Sequence, residues 1–235
     1  PPTLPSVVTQ TPRSGTSSGE LLDDALHLGA KLADRTGQDG TPGSSACWAP
    51  VSVRPRPGGS TAVFPHFVLD RAKPGTLVVD ARGERFVDES TSYHLFGEAL
   101  IAHAARHGLP GHAWLVADEV ALLRYGLGMV RPGAAGLSRF VREGYLVRAH
   151  SCEAMAASIG VPPVSLARTV ARFNRLAAAG VDEDFGRGRN AYQRNLGDPG
   201  HGPNPTLRPL AAGTWFAVRL QVGDIACSRG LVTDA

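Results

Sequence analysis

Pro74-Gly75-Thr76-Leu77-Val78-Val79-Asp80-Ala81-Arg82-Gly83-Glu84-Arg85-Phe86-Val87 is the stretch on which the fold turns. Its apolar, β-branched run Thr76 to Asp80 enters the turn Ala81-Arg82-Gly83 and leaves through Arg85 to Val87, which predicts two short paired strands. Upstream, Cys47 to Val53 and Thr61 to Phe67 alternate across Pro57-Gly58-Gly59 and predict a hairpin. Downstream, Leu95, Ala99, Ala102 and Ala105 recur at helical spacing until Gly108 and Pro110 stop the helix at His107. Ala113 to Ala117 reads as a buried strand, followed by short helices around residues 119–125 and 136–143 and by Cys152 to Ile159 with Ser151 as its cap. The strongest helix opens at Pro162 or Pro163, carries Leu166, Val170, Phe173 and Ala177 on one stripe, and ends at Gly180. Residues 181–213 are rich in glycine and proline and predict a long irregular loop of the kind that is functional or clamps something. The last strand is Trp215 to Val222. Strands and helices interspersed in this order predict an α+β fold.

The N-terminal side is different. Residues 1–19 hold Pro1, Pro2, Pro5 and Pro12 among Ser, Thr and Gly, too little apolar surface to offset the entropy of ordering them, and read as a linker or loop. From Glu20 the residues Leu21, Leu22, Ala25, Leu26, Leu28, Ala30 and Leu32 predict an amphipathic helix with Ser18 available as N-cap, and the Gly/Ser-rich segment from Thr36 to Ser45 ends it.

At 235 residues, 43% hydrophobic and 19% charged, the chain is long enough to bury one substantial core or two small ones. No stretch approaches the roughly 18 unbroken apolar residues of a spanning helix, and the first 18 residues lack the pattern of a signal peptide. Twenty-four Lys and Arg against 21 Asp and Glu leave +3, spread without a basic run, so nucleic acid is not an expected partner. Cys47, Cys152 and Cys227 are widely spaced, which suggests neither a disulfide framework nor a zinc site and makes a reducing compartment the default.

Motif by motif, most chemistries fall away. Gly126-Leu127-Gly128 and Gly186-Arg187-Gly188 lack the third glycine of a dinucleotide cradle, and no Walker lysine exists. Lys31 and Lys73 stand in surface-like contexts that do not favour a Schiff base. His103 and His107 fall at i, i+4 without the acid of a zinc-hydrolase helix and read as residues on an exposed helix side. Asp182-Glu183-Asp184 lacks the glycine offset and closing Glu of a calcium loop and reads as a solvated acidic turn, so no metal is expected. No Gly-x-Ser-x-Gly elbow or Cys–His pairing supports a hydrolase. What remains is Gly83 to Glu89 followed by Ser92-Tyr93-His94. A phenol and an acid aimed into a cleft are proton-transfer groups, and a β-turn leading into an N-capped helix contains the same residues.

Taken together, Trp48-Ala49-Pro50-Val51-Ser52, Phe64-Pro65-His66-Phe67, Asp70-Arg71-Ala72-Lys73-Pro74-Gly75 and Gly83-Glu84-Arg85-Phe86-Val87-Asp88-Glu89 resemble the FAD-dependent fumarate reductase/succinate dehydrogenase flavoprotein superfamily, in its 3-ketosteroid Δ1-dehydrogenase branch. Tyr125-Gly126-Leu127-Gly128, Thr169-Val170-Ala171-Arg172-Phe173-Asn174, Asp184-Phe185-Gly186-Arg187-Gly188, Asn204-Pro205 and Gly230-Leu231-Val232-Thr233-Asp234 extend the resemblance from about Gly19 to the end of the chain.

The resemblance implies the capping, or substrate, domain of a Rossmann-like FAD-dependent oxidoreductase with short flanking pieces of the FAD domain. Residues 20–46 would flank the FAD domain, 47–222 would form the cap, and 223–235 would return, truncated, to the FAD domain. The FAD pyrophosphate fingerprint would precede Pro1, and a further catalytic Tyr would follow Ala235. In that branch a tyrosine base takes a proton next to a ring ketone while a neighbouring hydrogen leaves as hydride to flavin N5. A free phenol titrates near pH 10, so such a site must ease ionisation and polarise the ketone with hydrogen-bond donors. By the same resemblance Tyr93 is the cap-borne catalytic tyrosine, Phe67 and Ile225 are apolar substrate-wall residues, and Gly230 and Leu231 belong to the cofactor-binding motif. The implied cofactor is FAD, the implied substrate is a small lipophilic ketone, and the electron acceptor is not identified. The dicarboxylate branch fits less well, because Ala226-Cys227-Ser228-Arg229 stands where a His-rich approach belongs and Tyr93 where an Arg belongs. Arg229 replaces a common second glycine, and Ala226 and Cys227 replace smaller residues, which implies a crowded approach to the flavin. The implied location is the cytoplasm, with or without contact to a membrane surface. The chain by itself would lack turnover without the missing FAD segments; the other reading is a stand-alone degenerate cap that binds a small molecule or protein without redox chemistry.

Overall fold

The computed structural model describes residues 46–67 and 70–227. The helix expected from Glu20, the linker before it and the motif from Gly230 lie outside the described residues. Within them, β1 (Ala46–Pro55) and β2 (Thr61–Pro65) form the expected hairpin, paired as Val53↔Val63 around a 3-10 turn at Pro57–Gly59. Gly58 sits at φ +81°, a conformation that favours glycine. The remaining strands are β3 (Thr76–Val79), β4 (His112–Asp118), β5 (Val147–Ala149) and β6 (Trp215–Cys227).

One antiparallel sheet collects all six strands in the order β2-β1-β6-β4-β3, with β5 also paired to β6. Its spine is β6. One edge of β6 runs along β4 from Asp118↔Trp215 to His112↔Gln221, while its other edge pairs first with β5 and then with β1. Both faces are covered, so the strands read as continuous apolar runs. Val78, Leu115, Phe216, Val218 and Leu220 point to one face; Leu77, Val79, Val116, Trp215 and Ala217 point to the other.

The helices divide between these faces. The first face is covered by α1 (Tyr93–His107) through Phe96 and Leu100 and by α2 (Glu119–Tyr125) through Ala121 and Leu122, with α3 (Leu137–Arg142) at its margin. The second is covered by α4 (Cys152–Ile159) and α5 (Pro163–Ala179), whose stripe of Leu166, Val170, Phe173 and Ala177 is buried. Helix α1 lies close on β1 because Gly97 faces Trp48: a Cβ there would stand 2.6 Å from the Trp48 Cβ. Helix α6 is Ala191–Leu196. Among the described residues no helix is long and apolar enough to cross a membrane.

Two local expectations are corrected. Arg85 to Val87 is not a strand partner of β3, which pairs instead with β4 from Thr76↔Ala117 to Val79↔Trp114. The reason is Asp80, whose carboxylate accepts the amide N–H groups of Arg82 (2.8 Å) and Glu84 (2.9 Å) and closes a tight turn instead of a ladder. Residues 181–213 are irregular apart from α6, but they are more than a surface loop. Asn204 donates to the carbonyls of Gly180 and Arg187 and accepts from Thr206, while Leu207 and Leu210 enter the second core.

Candidate active site

Ser92 caps α1 by accepting from the amide of Leu95, and this places Tyr93 as the first residue of the helix. Phe67 lies two residues beyond β2. The two rings meet edge to face, centroids 5.0 Å apart and planes at 65°, and both residues are half-buried. His94 fixes the helix start against β1, its Nδ1 accepting the amide N–H of Trp48 at 3.1 Å.

The four tyrosines are not equivalent. Tyr125 donates to Asp198 at 2.6 Å, and burial followed by that carboxylate pushes its phenol up to about 12. Tyr145 is buried, shares a 2.7 Å hydrogen bond with Ser52 and accepts from the amide of Met129. Tyr192 is exposed on α6. Tyr93 combines a ring packed on an aromatic wall with a hydroxyl that makes no hydrogen bond to another described residue.

Beneath Phe67 lies a buried network that sequence reasoning missed. Ser52 Oγ is 2.7 Å from His66 Nε2, and His66 Nδ1 is 2.7 Å from Asp70 Oδ2, which also accepts the amide of Gly128 at 2.8 Å. Burial alone would push Asp70 up; His66, the Gly128 amide and Arg71 outweigh it and hold the carboxyl below its ordinary range. The Ser–His–Asp order has the shape of a nucleophile triad, yet all three residues are buried and Tyr145 occupies the hydroxyl. Gly128, at φ +57°, leaves no room for a substrate either, because a Cβ there would stand 2.2 Å from Tyr145 Oη. The network is an anchor for the Phe67 segment. A signal existed in His66 and Asp70 at i, i+4, but the partner Ser52 lies on another strand.

A second buried cluster corrects the reading of Asp182 as solvated. Arg85 bridges Glu89 at 2.7 Å and Asp182 at 2.8 Å, and Arg187 stands 3.3 Å from Glu89. Burial would push Glu89 and Asp182 up, and the guanidiniums outweigh it and hold both carboxyls below their ordinary values of 4.5 and 3.8. A carboxyl depressed in the folded state stabilises the fold above its ordinary value, and that stability is lost as pH falls through the folded value. Asp88, which burial pushes up, acts in the opposite direction. We therefore expect a urea midpoint that is flat from about pH 7 to 5.5 and falls steeply below about pH 4, with Glu89→Gln flattening the fall. A midpoint unchanged down to about pH 3 contradicts it.

Two further expectations change. His103 is not free on an exposed helix side: its Nε2 is 2.9 Å from Asp80 Oδ2 and its ring stacks on Phe86, whereas His107 is exposed. Lys73 is not a plain surface lysine, since Nζ donates to the Gly197 carbonyl at 2.7 Å and burial pushes its pKa down. No group of three His, Cys, Asp or Glu positioned to hold a metal occurs among the described residues.

Of the residues singled out from the sequence, Phe67 and Tyr93 are brought together. Ile225 falls in β6 where the register with β1 shifts, between the pairs Cys47↔Ala226 and Trp48↔Asp224. Gly230 and Leu231 lie outside the described residues. The Gly126 and Gly188 turns do not cradle a pyrophosphate. Added Cβ atoms would meet the Val130 carbonyl at 2.4 Å from Gly126 and Asn204 Oδ1 at 2.3 Å from Gly188, so protein atoms already fill those turns.

A family model described as an FAD binding domain matches residues 23–235. The chain is 37% identical over 225 residues to the 4-oxocyclohex-2-ene-1-carboxylate 5-dehydrogenase of Sinomonas cyclohexanicum, covering 96% of this chain and 37% of that protein. It is 35% identical over 176 residues to the 3-oxosteroid 1-dehydrogenase of Mycolicibacterium smegmatis, covering 72% of this chain and 31% of that one. The crystal structure of 3-ketosteroid delta1-dehydrogenase from Sterolibacterium denitrificans in complex with 1,4-androstadiene-3,17-dione superposes with a TM-score of 0.77 at 31% identity, over 92% of this chain and 37% of that one. The chain thus spans about a third of the length of the curated relatives it matches.

Proposed function

Because the chain belongs to the FAD binding domain family, in the superfamily of fumarate reductases and ketosteroid dehydrogenases, we propose that it supplies the substrate-capping part of an FAD-dependent dehydrogenase acting on a cyclic ketone. In this reading residues 47–222 form the cap and Tyr93 Oη takes the proton from the carbon next to the ketone. The adjacent carbon loses its hydrogen with the bonding electron pair, and a carbon–carbon double bond forms between them. FAD, when bound, supplies the two-electron acceptor that this balance requires. Gly230 and Leu231 are the residues of this chain that would hold it. Phe67 and Ile225 form the wall against which a flat apolar ring lies.

The observation that carries the reading is the Tyr93–Phe67 pair: a phenol with no protein partner among the described residues, fixed at a capped helix start against an apolar ring. Substrate breadth follows from the relatives, whose names span an oxocyclohexene carboxylate and 3-oxosteroids. The test is dye reduction by the flavin-loaded enzyme with a 3-ketosteroid, with 4-oxocyclohexanecarboxylate and with succinate. Reduction with one or both ketones and none with succinate is expected; turnover of succinate alone rejects the assignment. FAD titrated into the 235-residue chain by itself is expected to bind weakly, since these residues lack a strand–Gly-x-Gly-x-x-Gly–helix unit.

A further inference from the structure

Arg71 is fully buried, and its guanidinium makes no hydrogen bond to a carboxylate. It donates instead to four backbone carbonyls: Nε to His66 at 2.7 Å, Nη1 to Glu89 at 2.7 Å, and Nη2 to Phe67 at 3.0 Å and Thr91 at 3.2 Å. Its Cζ also stands 4.7 Å from the centre of the Phe96 ring, on the inner side of α1. The carbonyls come from two separate segments, one carrying Phe67 and the other running into the Ser92 cap and Tyr93. Among the described residues, these bonds are the only hydrogen bonds that join residues 66–67 to residues 89–91.

We propose that Arg71 is a positioning residue for the substrate wall, setting the distance and tilt between Phe67 and Tyr93 without touching substrate itself. The geometry requires arginine. A planar fork with five N–H donors reaches carbonyls on two sides at once, whereas a lysine ammonium at the end of a flexible stem satisfies one side and leaves the other carbonyls unpaired. The neighbouring Asp70 does not bond the guanidinium: its Oδ2 takes His66 and the Gly128 amide, and its buried Oδ1 makes no hydrogen bond. The 66–71 segment therefore has two fasteners. The Ser52–His66–Asp70 network fixes it to β1, and Arg71 fixes it to the start of α1.

The proposal rests on the reading of Phe67 and Tyr93 as the wall of the site, and its primary test needs neither flavin nor substrate. With ring-labelled tyrosine the chain gives four tyrosine signals by NMR, and Tyr93→Phe identifies the one that belongs to Tyr93. Phe67→Leu defines the shift of that signal when the neighbouring ring is lost. Arg71→Lys is expected to move the Tyr93 signal toward the Phe67→Leu position while that of Tyr125, whose hydroxyl is held by Asp198, stays in place. If Arg71→Lys does not fold, Phe96→Leu removes the ring under the guanidinium while keeping its four bonds, and a smaller shift of Tyr93 in the same direction is expected. A Tyr93 signal that stays in place in a folded variant, or movement of all four signals together, overturns the positioning role. In the flavin-loaded enzyme Arg71→Lys should lower kcat about 100-fold, as a displacement of about 1 Å does, with a much smaller change in KM. If no ketone is turned over by the parent enzyme while the NMR shift is seen, the functional reading fails and the positioning role stands.

Discussion

Arg187→Ala is expected to destabilise the fold by about 3–5 kcal/mol, the cost of breaking a fully buried ion pair from one side. Arg187 and Glu89 are both 0% exposed. Together with Arg85 and Asp182 they form two positive and two negative charges on buried side chains, which balance. Removing one guanidinium leaves a net negative charge there. It also strips the Thr76 and Lys73 carbonyls of donors at 2.8 and 2.9 Å. A domain of this size is stable by about 5–15 kcal/mol, so the variant forfeits a large part of its stability. The measurement is urea unfolding, read as a lower midpoint at an unchanged slope. The companion variant Arg187→Met with Glu89→Leu removes both charges and should recover part of the loss, because no uncompensated ion remains. A loss below about 1 kcal/mol for Arg187→Ala contradicts the role given to the cluster.

The position of this cluster explains what was legible in the sequence and what was not. Helices α1, α4 and α5 are written locally: Ser92 and Ser151 accept from the third amide on, and Gly108, Gly160 and Gly180 leave in the left-handed conformation. The β1–β2 hairpin is equally local, set by alternation and a proline-glycine turn. Arg85 to Val87 reads as a strand because its neighbours are apolar, whereas Asp80 folds the residues before it into a turn, and Arg85 is held by Asp182, which no local pattern connects to it. His103 reads by its spacing to His107 as a residue on an exposed helix side, whereas its bond goes to Asp80, just beyond β3. Buried charge is the common factor. A charged residue is most often exposed, so a sequence pattern assigns it to solvent unless a distant opposite charge is known. The candidate site shows the same limit. Neither Phe67 nor Tyr93 stands out by periodicity: Tyr93 remains as a candidate phenol once other motifs fall away, and only the resemblance of the surrounding motifs names Phe67 and gives Tyr93 its role. Arg71 gave no signal at all beyond its place in Asp70-Arg71-Ala72-Lys73-Pro74-Gly75, because the four carbonyls it holds belong to the backbone and carry no residue identity.

Tyr93→Phe removes one oxygen and keeps the ring that packs 5.0 Å from Phe67, so it separates chemistry from packing. The hydroxyl has no protein hydrogen bond among the described residues to lose, and the fold should therefore be unaffected. In the flavin-loaded enzyme the loss of a proton acceptor should lower kcat by about 10²–10⁴-fold with a ketone substrate. That corresponds to about 3–6 kcal/mol of barrier, since a factor of ten is about 1.4 kcal/mol. KM should change little, because the ring still forms the wall. Phe67→Leu is the converse variant: it trims the wall, leaves the phenol, and should raise KM more than it lowers kcat. Tyr192→Phe, on the exposed face of α6, serves as the control and should leave turnover unchanged. The measurement is the rate at which excess ketone bleaches the oxidised flavin in stopped flow, before any electron acceptor is added. A Tyr93→Phe enzyme that bleaches within about twofold of the parent has its base elsewhere, and the phenol then serves only as part of the wall.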